Sequence, residues 1–281
     1  RVLLPNQVFV KTHQNKFSQT LTFNFLRWNE VKGLKKIISH FYNQSSYLID
    51  RKVLRQGSNF NLNPFSTGDE SELLGINQSF RNSLFFNRGK QLYTTSYTFL
   101  STKARNLLSV GFQENTVQAH QLQFTHKINA WWLTNLDVGT NVTQSLSENF
   151  PQRNFKIDGY NFLPKLSYLF NQNSRFDVFF ELQNKENRSA EQETLNQQRF
   201  GASFAIANGQ KISLNGEVNY FKNDFNGNPF SPVGYQMLEG LQPGNNFTWS
   251  LLGQKRITNY LDLNINYFGR KSETSKTIHT G

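Results

Sequence analysis

The chain has 281 residues, with 30 Lys and Arg against 19 Asp and Glu, no Cys and one Met. The missing thiols exclude disulfides and thiolate metal sites, and the length suits one large domain or two small ones. Aromatic residues reach 15%, with 27 Phe, while all hydrophobic residues together are only 37%. A soluble core that rich in Phe needs matching Leu, Ile and Val. Here Asn, Gln, Ser and Thr stand in their place, so half of the ordered positions are expected to face water.

An alternating beat runs from one end to the other. FSQTLTFNF places Leu21, Phe23 and Phe25 against Thr20, Thr22 and Asn24. After NEVKG a weaker alternation covers LKKIISHFYNQSSYLI. QLYTTSYTFL, HQLQFTHKI, WWLTNLDVGTNVT and FLPKLSYLF follow, the last joined by NQNS to RFDVFFELQ. The clearest hairpin is FGASFAIANGQKISLNGEVNYF, two alternating arms on an Asn-Gly turn. NFTWSLL and YLDLNINYF close the series. No stretch carries a capped 3.6-residue repeat, and no apolar run approaches the ~20 residues of a membrane-spanning helix.

The connections alternate too. NEVKG, NRGK, INA, NQNS, ANGQ and KRITN are short, whereas residues 50–72, 101–118, 145–156, 184–198 and 223–245 form longer polar or Pro/Gly-marked segments. Strands of about ten residues with short turns at one end and long loops at the other predict an all-β fold. It is an antiparallel transmembrane β-barrel of the outer-membrane type, with 12–14 strands in one domain over residues 1–281. A large β-sandwich or lipocalin-like barrel is the competing soluble architecture. In the membrane barrel Ser213, Asn215, Glu217, Asn219, Asp262 and Asn264 face the lumen, and Leu214, Val218, Tyr220, Leu263 and Ile265 face lipid. The opening RVLLPNQVFV and the ending SKTIHTG read as pieces of a longer polypeptide.

Two stretches, GDESELLGINQSFRNSLFFNRG and FKNDFNGNPFSPVGYQ, together with the loop FNGNPFSPVGYQMLEGLQPGNNFTW and the ending NYFGRKSETSKTIHTG, resemble the carboxyl-terminal part of large outer-membrane barrel proteins from Bacteroidota. The resemblance spans most of the chain and implies location and fold rather than an activity. Such proteins commonly end on one further strand with a terminal aromatic residue, which this sequence lacks, leaving barrel closure and strand number open.

Chemistry is sparse. His13, His40, His120, His126 and His279 are the histidines. His120 and His126 share a predicted strand, but the strand rise separates them by about 20 Å, too far to share a metal or a proton. No GxSxG or HExxH occurs. Asp69, Glu70 and Glu72 form an acidic knot in a long loop that lacks the ligand spacing of an EF-hand. Asp137, Asp177, Glu181, Glu217 and Asp262 fall on the predicted inner face, where pore selectivity is the functional alternative to plain solvation. The chain is thus expected to be no enzyme and to hold no metal or cofactor.

The scattered Lys and Arg do not form a nucleic-acid surface; anionic outer-membrane lipid or lipopolysaccharide is the expected partner, together with other envelope proteins. Within 223–245, three Pro and four Gly punctuate an apolar set, Phe230, Tyr235, Met237 and Leu238. That composition predicts an ordered loop, packed on itself, plugging the lumen or docking a partner. The expected function is a structural or accessory subunit of a secretion, assembly or transport complex in the outer membrane of a Gram-negative bacterium. The alternatives are a pore or TonB-dependent-type transporter barrel and, with less support, a barrel enzyme.

Overall fold

A computed structural model describes residues 12–25, 32–54, 73–89, 92–189, 192–208, 212–258, 260–274 and 276–280. The acidic knot Asp69, Glu70 and Glu72 and the rest of the long segment 50–72 beyond Leu54 lie outside these residues. Strands β1 Thr12–Asn24, β2 Phe41–Leu54, β3 Leu73–Phe86, β4 Tyr93–Leu108, β5 Gly111–Lys127, β6 Trp132–Ser147 and β7 Phe155–Asn171 are followed by β8 Ser174–Asn187, β9 Thr194–Asn208, β10 Ile212–Asn226, β11 Gly244–Thr258, β12 Leu261–Ser272 and β13 Ile278–Thr280. They form one sheet in sequence order, each strand antiparallel to the next. This is the up-and-down wall of an outer-membrane-type β-barrel. Among the described residues no helix is long and apolar enough to cross a membrane.

The two faces are chemically opposite, and burial runs the reverse of a soluble protein. Val218 is 51% exposed, while its neighbour Asn219 is 7% exposed. Ser83, Ser145, Ser167, Asp177, Gln197 and Asn223 are likewise buried, whereas Phe124, Leu166, Phe170, Phe200 and Phe247 are exposed. Side chains alternate across a strand, so one face carries the polar set inward and the other turns the apolar set out. Strand β7 shows it cleanly: Tyr160, Phe162, Pro164, Leu166, Tyr168 and Phe170 share the outer face, bounded by Asp158. Ten residue steps are about 33 Å along the strand, or roughly 25 Å of height at a barrel tilt near 40°, the height of a hydrocarbon band.

At the end of the sheet where β7 meets β8, the outer face closes in an aromatic belt. Phe41 packs on Phe86 (5.1 Å between centroids), Phe86 on Tyr93 (6.3 Å), and Trp132 on Tyr168 (4.9 Å). Amphipathic rings settle at the membrane–water boundary, and such girdles flank the apolar band of barrels. Two strand features follow from residue type. Pro164 has no N–H to give, and the β7–β8 ladder skips from Phe162↔Leu182 to Lys165↔Phe179 around it. On the inner face the Phe179 ring lies over Gly201, where any Cβ would collide with it.

The strands are longer than the sequence predicts. Residues 101–118, read as a loop, are a continued hairpin: β4 runs to Leu108, β5 starts at Gly111, and Gly111 takes the turn's positive φ of 96°. The segments 145–156 and 184–198 are also partly strand. Beyond the apolar band the apolar residues, such as Leu107, Phe112, Leu146 and Leu195, are too sparse for a period-two beat to mark these extensions, yet the backbone ladder continues because its N–H and C=O groups still need partners. In the opposite sense, LKKII after NEVKG is a helix, α1 (Leu34–Ile38), not strand.

Candidate functional site

Register places the predicted faces side by side. Glu217 lies opposite Ser203 and Ser250, and Ser213 opposite Gln254, which in turn faces Asn264. Asp262 pairs in register with Arg256. Ser213, Asn215, Glu217, Asn219, Asp262 and Asn264 therefore share one face, the one carrying Arg199. Leu214, Val218 and Tyr220 line the other, Leu214 reaching Ile265 through Gly253 and Ile265 followed two residues earlier by Leu263. Asp137, Asp177 and Glu181 fall on the face of Glu217.

The densest polar cluster on that face centres on Arg199. Its guanidinium donates to Glu181 Oε2 (3.2 Å), Glu217 Oε1 (2.7 Å) and Asn219 Oδ1 (2.9 Å). It also stands over the rings of Phe179 (4.7 Å) and Phe221 (5.4 Å). Asn219 donates onward to Glu217 and to Thr248 Oγ1. One planar cation that satisfies two carboxylates at once ties β9 to β8 and β10, and Asn219 carries the link on to β11. Beside it a cavity of about 450 Å³ is lined by Glu217, Asn219, Ser250, Phe268 and Arg270. Arg199→Met should cost roughly 1–3 kcal/mol, because it leaves two half-buried carboxylates facing each other. Thermal unfolding followed by heat-modifiable gel mobility reads the loss, and adding Glu181→Gln and Glu217→Gln should restore most of it.

The second element is the connection 227–243, which carries α2 (Pro232–Leu238). Ser231 caps the helix by accepting from the Gly234 N–H (2.8 Å), and Pro232 occupies the first turn, where a missing N–H costs nothing. Val233, Met237 and Leu238 then pack against Ile157 of β7 and Leu195 of β9, with Phe155 and Phe225 alongside. These four strand residues lie on the inner face, so the connection folds across the inner ends of β7 to β10 as a cap.

Polar anchors surround the cap's apolar contact. Lys185 Nζ donates to the Met237 carbonyl (2.9 Å) and pairs with Glu239 (2.6 Å) at the helix C-terminus, where the dipole favours a cation. Glu193 accepts from Ser231 Oγ and Asn187 Nδ2 (both 3.1 Å). Asn223 and Asn246 both donate to the Gln242 carbonyl. The four apolar residues singled out in this loop divide: Met237 and Leu238 are buried in the cap, whereas Phe230 is 85% and Tyr235 67% exposed.

Sequence reasoning did not single out Arg199, Lys185, Glu193, Ile157 or Leu195 as partners. For the last two a signal exists: both are apolar residues on the polar parity of their strands, which an open water-filled lumen does not call for. His40, His120, His126 and His279 do not converge. His120 sits on the outer face with its Nδ1 2.7 Å from Tyr97 Oη and its ring 4.9 Å from Phe99. His126 shares that face beside Phe124, His40 contacts Phe86, and His279 contacts Tyr267. Among the described residues no three His, Asp or Glu gather as a metal-binding group.

No known family profile matches the chain, and no curated protein sequence matches it. Among solved structures it aligns with the translocator domain of the autotransporter NalP from Neisseria meningitidis, at 11% identity over 95% of this chain and 82% of that one. The TM-score is 0.20.

Proposed function

We propose that the chain is a non-enzymatic β-barrel of a Gram-negative outer membrane that serves as a structural or accessory subunit of a larger envelope assembly, with the cap as its contact surface. One observation carries this reading. Met237 and Leu238 hold α2 rigidly to the barrel, while Phe230 and Tyr235 on the same connection are left exposed. Ordered aromatic side chains presented from a preorganised element are what a protein partner binds best, because little entropy is lost on docking.

The test is extraction of the native protein in mild detergent and mass spectrometry of what accompanies it. The wild-type chain should bring stoichiometric companions, and Phe230→Ser with Tyr235→Ser should lose them without loss of barrel folding. A wild-type barrel recovered alone would overturn the proposal. The second reading, a pore or a transporter barrel, is favoured by the Arg199 cluster and the adjoining cavity, which put fixed charge and open volume on the inner face under a cap. Planar-bilayer conductance separates the two.

A further inference from the structure

The outer face of the sheet is chemically different at its two ends. Where β7 meets β8 it finishes in the aromatic belt, and Lys255 is the cation the described strands place there. At the opposite end the outer face is charged. Lys103 is held by Glu114 (2.9 Å) and Arg188 by Asp158 (2.7 Å). Lys156, Lys222 and Lys271 are exposed and form no ion pair within the described residues, with the acids Glu186, Asp224 and Glu273 beside them, the last held by the Asn245 amide. Lys271 stands in register with Phe247 and, across it, Tyr220, whose rings lie 5.2 Å apart.

The heights of these lysines matter. Lys222 is one outward step beyond Tyr220, and Lys156 two outward steps beyond Tyr160, the last aromatic residues on the outer face of their strands. Those offsets are about 7 and 13 Å along the strand, or roughly 5 and 10 Å of height at the same tilt. A phospholipid headgroup layer is only about 5–8 Å deep on each side of the hydrocarbon. The three lysines thus run from the level of the Tyr220–Phe247 pair, at Lys271, to beyond that depth, at Lys156, which fits a lipid whose phosphates sit on a thicker polar base.

We infer that Lys156, Lys222 and Lys271 form a docking rim for the phosphate groups of a phosphorylated glycolipid in the leaflet at the capped end of the barrel. The aromatic pair Tyr220–Phe247 lies against the acyl boundary below, and the ammonium groups reach the phosphates above, an arrangement suited to long flexible cations. The inference rests on the outer face lying in lipid and is independent of any protein partner.

The test compares the full chain with K156Q/K222Q/K271Q, and with K255Q as a control at the aromatic end. Each is placed in nanodiscs of phosphatidylcholine alone, with phosphatidylglycerol, or with bis-phosphorylated lipid A, and bound lipid is counted by native mass spectrometry. The wild type and K255Q should enrich lipid A over phosphatidylglycerol by about five-fold or more, and the triple variant should lose that enrichment, as should the wild type in high salt. Equal retention by the triple variant overturns the inference, and so does equal enrichment of phosphatidylglycerol by the wild type. Gel mobility shows that each variant is folded. Release of the wild type from membranes by carbonate without detergent would sink the membrane reading itself and the rim with it.

Discussion

Leu214→Arg should strongly reduce the folded barrel in the membrane fraction, whereas Asn215→Arg, one residue along, should assemble close to normally. Leu214 lies on the apolar face of β10, in register with Ile206 on one side and Gly253 on the other. An Arg there must stretch to the boundary to reach water; a cation on the lipid face costs about 2–4 kcal/mol near the midplane and less toward the interface, so about 2 kcal/mol is expected at Leu214, one outward step inside Ile212. That is a large share of a typical stability of roughly 5–15 kcal/mol. Asn215 is on the polar face and exposed, so a longer cationic side chain there remains hydrated. The ratio of folded to unfolded bands in unheated gel samples of outer membranes measures both. If Asn215→Arg were the more damaging, the two faces would have to be exchanged.

The parts of this fold that could be read from sequence are those where one face must be apolar. Tyr160 to Phe170 and Leu214 to Tyr220 announce themselves because lipid accepts only apolar side chains at every second position, so strand identity and face follow together. Beyond the band that constraint vanishes. In 101–118 the outer positions include Lys103, Arg105 and Glu114, and nothing in their order separates a solvated hairpin from a loop. The Arg199 cluster was illegible for another reason. Its members come from four strands, and only the register decides that Glu181 and Glu217 flank the same guanidinium. The loop 223–245 shows both cases in one segment. Its Pro, Gly and apolar content signalled order, but which of Phe230, Tyr235, Met237 and Leu238 would be covered depends on Ile157 and Leu195, far away in the chain.

Met237→Ala should release the cap while leaving the barrel intact. The side chain is fully buried between Ile157, Leu195, Val233 and Leu238, and truncating a buried Met to Ala costs about 2–5 kcal/mol in lost contacts and cavity. A seven-residue helix has no stability of its own to resist that loss. The strands beneath keep their ladders, so the cost falls on the cap equilibrium. Protease added from outside should then cut within 227–243 at a rate raised by one to two orders of magnitude or more, while the heat-modifiable gel shift is retained. Lys185→Met should act in the same direction and less, by roughly 1 kcal/mol, because Glu239 is largely solvated and only the Met237 carbonyl bond is enclosed. If the inner face is a passage, both variants should raise conductance in that order. Loss of the folded barrel together with the cap would instead mean that Ile157 and Leu195 need α2 for the strands around them to hold, making the cap part of the wall's own stability.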